Sequence, residues 1–287
     1  MSDLLIDPAE LADLLAAEDP EERPVLLDIR WSLGTSPEEN RAEFQAGHIP
    51  GAAFMEMKGA LSGAPAPDGR GGRHPMPRLA DAQEAFRAAG VTDLRPVVVY
   101  DGATSVGAAR AWWLLNYYGK DEVRVLDGGY AAWLAADQPI ETGEPEVERG
   151  DIVLTPGGRR LLDADGLEDY LDRHQVVDSR PAERFRGESE TIDPVAGHIP
   201  GAISIPALQN VDDAGRFLPS DDLELRFTAR GIQPDKRTAI YCGSGIQACH
   251  MALAMEVAEV GVYDPAVYIG SWSDWITDPE RPIATGP

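Results

Sequence analysis

Short apolar runs alternate with stretches of helical hydrophobic spacing along most of the chain. The apolar runs predict β-strands at 24–28, 97–100 and 122–126 in the first half, and at 175–178, 202–205, 238–241 and 267–269 in the second. Segments 105–118 and 246–257 have helical spacing, and Gly119 after the first is a typical C-cap residue. Apolar strands that alternate with helices indicate an α/β fold with mainly parallel sheets flanked by helices.

Four segments of the first half return in the second half in the same order. FQAGHIPGAAF (44–54) returns as PVAGHIPGAIS (194–204), VLLDIR (25–30) as QVVDSR (175–180), VVVYDG (97–102) as TAIYCG (238–243), and LDGGYAAWLAADQPI (126–140) as YIGSWSDWITDPERPI (268–283). Ordered repetition of this kind indicates two copies of one domain. We therefore predict a first domain at 1–142, a linker at 143–160 and a second domain at 161–287.

The offset between the copies falls from 150 residues at the first two matches to about 141 at the last two. The first copy must therefore carry extra residues in between, and these are MKGALSGAPAPDGRGGRHPMPRL (57–79). Their richness in glycine and proline predicts a loop. A loop of this length within a compact domain is usually functional or mobile.

Composition limits the classes of function. With 287 residues and 43% hydrophobic residues the chain can form two globular cores. It contains no apolar run of about 18 residues, and its N-terminus lacks the basic region of a secretory signal. Two cysteines are too few for a disulfide framework. These features predict a cytoplasmic protein.

The formal net charge of −24 argues against nucleic acid or an anionic membrane surface as a partner. The same charge repels an anionic substrate at long range. Binding of such a substrate would need a local cluster of arginines and backbone N–H groups.

The candidate chemistry centres on AIYCGSGIQACH, which contains both cysteines. An apolar strand ends in Cys242, a glycine-containing loop follows, and a helix begins near Ile246. Loop N–H groups and a helix N-terminus favour negative charge and lower a thiol pKa. Cys242 is therefore a candidate nucleophile rather than a packing residue. Cys249 lies two helical turns on, where core packing is expected, and no Cys or His pair has zinc-ligand spacing.

Several motifs together resemble the tandem-domain rhodanese family of sulfurtransferases over nearly the whole chain. They are the Gly-His-Ile-Pro-Gly motifs (47–51 and 197–201), DSRPAERFRG (178–187), YCGSG (241–245) and GSWSDW (270–275). In this family the first domain has lost its cysteine, and Asp101 fits that pattern because it replaces the cysteine in the first copy. We further expect the first copy to lack an anion cradle, since DGATSV has one glycine before Ser105.

The resemblance implies a two-step reaction. The Cys242 thiolate takes a sulfur atom from a small anionic donor and becomes a persulfide, and a thiol such as thioredoxin, or cyanide, then accepts that sulfur. Backbone N–H groups along the loop are expected to stabilise the anionic sulfur, and these belong to Gly243, Ser244, Gly245, Ile246 and Gln247. The resemblance implies neither a metal nor an organic cofactor.

The two residues after the cysteine indicate the donor. Members of the family that prefer thiosulfate carry Arg and Lys there, whereas members that prefer 3-mercaptopyruvate carry Gly and a small polar residue. This chain has Gly243 and Ser244. A dianion needs positive charge beside the cysteine, and one cation at about 4 Å contributes on the order of 4 kcal/mol at an effective dielectric of about 20. The neutral loop therefore favours 3-mercaptopyruvate, with thiosulfate as the alternative.

Arg180 and Arg184 match the substrate-binding arginines of the family. Arg184 is the better candidate for the donor carboxylate because a guanidinium binds a carboxylate through two N–H groups. Arg180 has an equally supported structural alternative, in which it holds the loop near Asp178. The second arginine of the mercaptopyruvate type is missing from ESETIDPVA (188–196).

His74 resembles a family histidine that hydrogen-bonds the active-site serine within an Asp-His-Ser relay. Here Lys58 stands about where the aspartate aligns, with Glu56 two residues before it, so the sequence does not establish a complete relay. An exposed loop histidine is the equally supported alternative for His74. Ile246 and Gln247 also depart from the usual Val-Thr. His48 and His198 recur in both copies, including the one without a cysteine, which indicates a structural role.

Two other classes of function are weighed against this interpretation. A phosphatase or arsenate reductase with a related cysteine loop needs an arginine six residues after the cysteine, and that position is Ala248. A non-catalytic binding module would keep the fold without the chemistry, as Asp101 indicates for the first copy. Cys242 and its flanking glycines argue against this for the second copy.

Overall fold

The computed structural model describes residues 4–260 and 264–287. Within these ranges the strands are β1 (Leu5–Ile6), β2 (Val25–Asp28), β3 (Ala53–Phe54), β4 (Val97–Tyr100), β5 (Val123–Leu126), β6 (Leu161–Leu162), β7 (Gln175–Asp178), β8 (Ile203–Ser204), β9 (Thr238–Tyr241) and β10 (Ala266–Tyr268). The α-helices are α1 (Pro8–Leu15), α2 (Pro37–Ala46), α3 (Leu79–Ala88), α4 (Val106–Tyr117), α5 (Gly129–Ala135), α6 (Ala164–Leu171), α7 (Ala182–Phe185), α8 (Ser220–Ala229), α9 (Ile246–Val257) and α10 (Ser271–Trp275). Short 3₁₀ turns lie at Pro20–Glu22 and Ala207–Asn210.

The chain forms two compact units, each around one five-stranded sheet. The strand orders are β1-β5-β4-β2-β3 and β6-β10-β9-β7-β8, and every pairing is parallel. These orders are identical once each strand is matched to its repeat. The predicted α/β fold with two copies of a parallel sheet flanked by helices is therefore confirmed.

Each unit is built from stretches that are not contiguous in the sequence. The first contains the chain up to Gly63, Pro77–Gly158 and Val211–Phe217, and the second contains Ala64–Met76, Arg159–Asn210 and Leu218–Pro287. Most of the Gly/Pro-rich loop that precedes α3 thus belongs to the second unit. Most of the segment predicted as a linker pairs instead with the first unit, where Gly150 N donates to Arg87 O and Thr155 N to Tyr118 O.

Most element boundaries agree with the sequence prediction to within one residue. The helix predicted at 246–257 is α9, and that at 105–118 is α4, one residue shorter at each end. The edge strands β1, β3 and β6 were not predicted because each is only two residues long and has no detectable period. Their strand geometry comes from pairing with β5, β2 and β10, respectively.

The repeated Gly-His-Ile-Pro-Gly motif serves the core of each unit. Tyr100 in β4 accepts a hydrogen bond from Ile49 N on its hydroxyl, and Tyr241 in β9 accepts the same bond from Ile199 N, both at 3.1 Å. His198 is buried and stacks on Phe185 at 3.6 Å between ring centroids. This placement agrees with the structural role expected for the two motif histidines. No helix within 4–260 and 264–287 is long and apolar enough to cross a membrane.

Candidate active site

Cys242 follows β9 directly and lies beneath the N-terminus of α9. Its side chain is 2% exposed. Gly245 N lies 3.1 Å from Cys242 Sγ, and the Ser271 hydroxyl lies 3.9 Å from the same sulfur. The Gly245 N–H and the positive end of a helix therefore face the sulfur, an arrangement that stabilises negative charge developing there.

Gly245 is required at the start of α9 for two reasons. It adopts φ +82°, a conformation that residues with a side chain rarely accept. A methyl group at this position would also lie 2.3 Å from Ile269 O. The glycine therefore lets the loop turn tightly enough to direct its N–H at the Cys242 sulfur.

The segment around α10 fixes the other side of the cysteine loop. Ser271 Oγ accepts a hydrogen bond from Cys242 N at 3.0 Å, and Trp272 N donates to Cys242 O at 3.0 Å. Ser273 N donates to Gly243 O at 3.0 Å. The closing GSWSDW motif thus holds the loop backbone, a role that the sequence alone did not reveal.

The Gly/Pro-rich segment Ala64–Met76 brings His74 to the cysteine loop. His74 Nδ1 lies 3.0 Å from Ser244 Oγ, as the resemblance implied. The segment is anchored on the chain near α10, because Gly71 N donates to Asp274 Oδ1 at 2.7 Å and Arg73 N donates to Ser273 Oγ at 3.1 Å. Ser244 is half-buried, so the hydroxyl remains partly accessible.

Arg184 in α7 reaches the cysteine loop together with an arginine that the sequence analysis missed. Arg184 donates to Glu190 Oε2 at 2.9 Å and to Asp193 Oδ2 at 2.8 Å. Arg73 forms an ion pair with the other oxygen of Asp193. A methyl group on Gly243 would lie 3.1 Å from Arg73 Nη2 and 3.3 Å from Arg184 Nη1. The two guanidinium groups therefore converge beside the residue that follows the cysteine.

Glu190 and Asp193 hold these arginines and are almost completely buried. Their side chains are 4% and 3% exposed. Burial acts to raise the pKa of Glu190, but hydrogen bonds from Arg184 and from the N–H groups of Asp193 and Ile192 outweigh it and lower the pKa. Glu190 is therefore an ionised partner for Arg184 at neutral pH.

Arg180 has a different placement from Arg184. Its fully buried guanidinium donates to both oxygens of Asp178, at 2.6 to 3.1 Å, and to Gly197 O at 2.7 Å. Desolvation acts to lower the pKa of Arg180, but Asp178 outweighs it and raises the pKa. The same pair recurs in the unit without a cysteine, where Arg30 donates to Asp28 Oδ2 at 2.8 Å. This placement supports the structural alternative for Arg180 over substrate binding.

Ile246 and Gln247 form the first turn of α9, where Ile246 is buried and Gln247 is half-buried. Cys249 is fully buried further along the helix, and its thiol donates to Gly245 O at 3.2 Å. Packing, the role expected for Cys249, agrees with this position. Both cysteines are free thiols.

The expectation that the first unit lacks an anion cradle is wrong, because Asp101 occupies one. Its carboxylate accepts four backbone hydrogen bonds, from Ala103 N and Ser105 N at 3.0 Å, Gly107 N at 2.9 Å and Ala108 N at 3.4 Å. Burial raises the pKa of Asp101, and these N–H groups partly oppose it. Ser105 adopts φ 60° and so makes the turn that Gly245 makes in the second unit. The sequence expectation failed because it required a glycine at this turn, whereas Ser105 adopts the same positive φ.

No group of three His, Cys, Asp or Glu side chains within the described ranges is arranged to hold a metal ion. The sequence-predicted residues that meet at the cysteine loop are Cys242, Gly243, Ser244, Gly245, Arg184 and His74. Residues that the sequence analysis missed are Arg73, Glu190, Asp193, Ser271 and Ser273. The one available signal was position, since Arg73 directly precedes His74.

Comparisons with known proteins identify the family of the chain. The family model described as "Rhodanese-like domain" matches residues 7–136 and 163–278. A "Probable 3-mercaptopyruvate sulfurtransferase" from Pseudomonas aeruginosa is 45% identical and is aligned over 96% of this chain and 97% of its own length. A "Putative thiosulfate sulfurtransferase" from Mycobacterium tuberculosis is 40% identical, with coverages of 99% and 97%. The crystal structure of a 3-mercaptopyruvate sulfotransferase from Escherichia coli matches with a TM-score of 0.81 at 30% identity, covering 94% of this chain and 98% of that one.

Proposed function

The chain belongs to the rhodanese family and is a sulfurtransferase, and from this premise we propose that it moves sulfane sulfur from 3-mercaptopyruvate through a persulfide on Cys242. The observation that carries the proposal is the position of Cys242 Sγ, 3.1 Å from Gly245 N at the start of α9. A thiolate held in this way is nucleophilic, and the same N–H groups can stabilise negative charge on the persulfide that forms.

In the first step the Cys242 thiolate attacks the sulfur of the donor. The new S–S bond forms as the carbon–sulfur bond of the donor breaks, and the electron pair of that bond leaves with the pyruvate enolate, which then takes a proton. In the second step an acceptor thiolate attacks the outer sulfur. That sulfur leaves with the acceptor, and the Cys242 thiolate is regenerated.

The carboxylate of Asp101 supports a backbone cradle for the persulfide. Its outer oxygens are as many bonds from Cα as the outer sulfur of a cysteine persulfide. The helix after the cradle begins at Val106 in the first unit and at Ile246 in the second, an offset of 140 residues. The donors Ser105, Gly107 and Ala108 therefore correspond to Gly245, Gln247 and Ala248. We propose that the N–H groups of Gly245, Gln247 and Ala248 bind the terminal sulfur of the Cys242 persulfide.

The surroundings of the loop support 3-mercaptopyruvate over thiosulfate. Gly243 and Ser244 are neutral, and Arg184 is paired with Glu190 and Asp193, so little uncompensated positive charge faces the cysteine. Thiosulfate carries two charges and needs more compensation than one carboxylate does. The Ser244 hydroxyl, in contact with His74 Nδ1 at 3.0 Å, is suited to hydrogen-bond the keto oxygen as it becomes an enolate.

Thiosulfate transfer is the second candidate function, and one relative with 40% identity carries that name. For the acceptor we propose a small thiol, a thioredoxin-like dithiol or cyanide, each of which can attack the outer sulfur. We propose a cytoplasmic location, because a reducing compartment keeps the two free thiols, Cys242 and Cys249, available.

Mass spectrometry after a single exposure to donor tests the mechanism directly. Wild-type protein treated with 3-mercaptopyruvate should gain the mass of one sulfur atom on the peptide that contains Cys242, and Cys242→Ser should gain none. Cys249→Ser is the matched control and should still gain it. Sulfur transfer by Cys242→Ser at close to the wild-type rate would refute the mechanism. A higher kcat/KM for thiosulfate than for 3-mercaptopyruvate would refute the donor assignment.

A further inference from the structure

The Asp193 carboxylate bridges two guanidinium groups beside the cysteine loop. One oxygen accepts from Arg184 Nη2 at 2.8 Å and the other pairs with Arg73 Nη1. The carboxylate is 3% exposed, so solvent scarcely weakens these contacts. Both arginines are thereby held in fixed orientations.

Each arginine uses only part of its hydrogen-bonding capacity on these carboxylates. Arg184 binds Glu190 through Nε and Asp193 through Nη2, and its Nη1 points towards Gly243. Arg73 binds Asp193 through Nη1, and its Nη2 points to the same place. Among the residues described, neither of these two nitrogens, Arg184 Nη1 and Arg73 Nη2, hydrogen-bonds a protein acceptor. Two donors from different guanidinium groups therefore converge next to the residue that follows Cys242.

We propose that Arg73 and Arg184 together bind the donor carboxylate, one oxygen each, and that Arg73 supplies the second arginine that segment 188–196 lacks. This inference rests on the proposed function and extends it to a residue from a distant part of the chain. A planar carboxylate fits two convergent N–H donors. Asp193 is a positioning residue, because it acts on the donor through the two arginines.

The charge balance of the cluster explains how specificity would arise. Arg73 and Arg184 carry two positive charges, and Glu190 and Asp193 carry two negative charges. The free N–H groups therefore offer directed hydrogen bonds with little net positive charge. A monoanionic α-keto acid gains both hydrogen bonds, whereas a dianion also meets repulsion from the buried carboxylates.

Steady-state kinetics of Arg73→Met and Arg73→Lys test the proposal. With 3-mercaptopyruvate, Arg73→Met should raise KM about 10- to 100-fold, the equivalent of one lost charge-assisted hydrogen bond, while kcat changes much less. Arg73→Lys should lie between Arg73→Met and wild type, because an ammonium keeps the charge but lacks the two-sided fork. Arg70→Gln is the matched control, since Arg70 lies in the same segment with an exposed side chain, and it should leave both constants unchanged.

An α-mercaptoketone without the carboxylate separates binding from a purely structural role. Arg73→Met should transfer sulfur from this neutral donor at the wild-type rate. An equal loss with both donors would overturn the proposal, because Arg73 would then only hold the segment that contains His74. An unchanged KM for 3-mercaptopyruvate in Arg73→Met would also overturn it. Failure of the wild-type protein to form a persulfide with 3-mercaptopyruvate would instead refute the proposed function.

Discussion

His74 Nδ1 lies 3.0 Å from the hydroxyl oxygen of Ser244, two residues after Cys242. The histidine comes from the Gly/Pro-rich segment Ala64–Met76, which packs in the second unit although it lies between elements of the first. The contact orients the Ser244 hydroxyl towards one side of the cysteine loop. A polar group oriented before reaction stabilises developing charge more effectively than a freely rotating one.

Replacement of His74 is expected to slow the first step rather than weaken binding. His74→Ala leaves the Ser244 hydroxyl without its partner, and kcat for 3-mercaptopyruvate should fall by about 10- to 100-fold with little change in KM. Ser244→Ala should show a similar decrease, and the double variant should be no slower than the slower single one. Rapid-quench measurement of persulfide formation checks this. Decreases that multiply in the double variant would contradict the shared role.

Replacement of Asp101 is expected to destabilise the first unit without a direct effect on the chemistry. Asp101→Ala leaves four backbone N–H groups without their acceptor, and unsatisfied buried donors cost about 1–3 kcal/mol. Urea unfolding should show the loss, and persulfide formation on Cys242 at low temperature should continue. An unchanged unfolding midpoint would show that the bonds contribute nothing to stability.

Asp101→Cys places a thiol in the N–H cradle of the first unit. We still expect no persulfide on residue 101 from 3-mercaptopyruvate, but now because the position corresponding to Arg184 in the first copy is Gly34, so the donor carboxylate has no arginine. Peptide mass spectrometry of the variant after exposure to donor decides this. Stoichiometric sulfur on residue 101 would show that the backbone cradle alone is sufficient.

Gly245→Ala should impair both folding and activity. The methyl group would lie 2.3 Å from Ile269 O at a backbone angle of φ +82°, so the loop must shift and its N–H must turn from the sulfur. Gly231→Ala is the matched control, because Gly231 has φ +93° but nothing within 4 Å of the added methyl. Alkylation of Cys242 by iodoacetamide at neutral pH should be slower in Gly245→Ala than in Gly231→Ala. Equal rates would contradict the role of the Gly245 N–H.

Glu256 in α9 should make stability depend on pH. Burial, and the nearby carboxylate of Asp264, raise its pKa from 4.5 to about 7 against the opposing effect of Arg159. The folded chain therefore binds a proton more tightly than the unfolded chain. This contribution to stability is fully present below about pH 4.5 and is lost as the pH rises through about 7.

Glu256→Gln removes that titration. Between about pH 5 and 8, the urea midpoint of wild type should fall relative to that of Glu256→Gln. Glu224→Gln, at an exposed position in α8, is the control and should follow wild type. Parallel pH profiles for wild type and Glu256→Gln would show that Arg159 keeps Glu256 ionised throughout.

The sequence by itself determined the repeat, the parallel α/β fold and the position of the candidate nucleophile. The strand and helix signals are patterns of contiguous residues, so they can be recognised without knowledge of the rest of the fold. Examples are the apolar runs at Val97–Tyr100 and Thr238–Tyr241 and the helical spacing after each. The glycines beside Cys242 and the helix after them are likewise contiguous in the chain. The sequence was therefore sufficient to place the thiol at the end of a strand and beneath a helix N-terminus.

Only the tertiary structure decided where each arginine lies. Arg180 and Arg184 are four residues apart in one motif, yet Arg180 is buried against Asp178 whereas Arg184 reaches Gly243. Arg73 pairs with Asp193, which lies 120 residues further along the chain and also binds Arg184. Such contacts depend on how the Ala64–Met76 segment packs, and segment packing leaves no periodic trace in sequence. For the same reason only the structure shows the cradle around Asp101, in which the N–H groups of the following residues converge on the carboxylate.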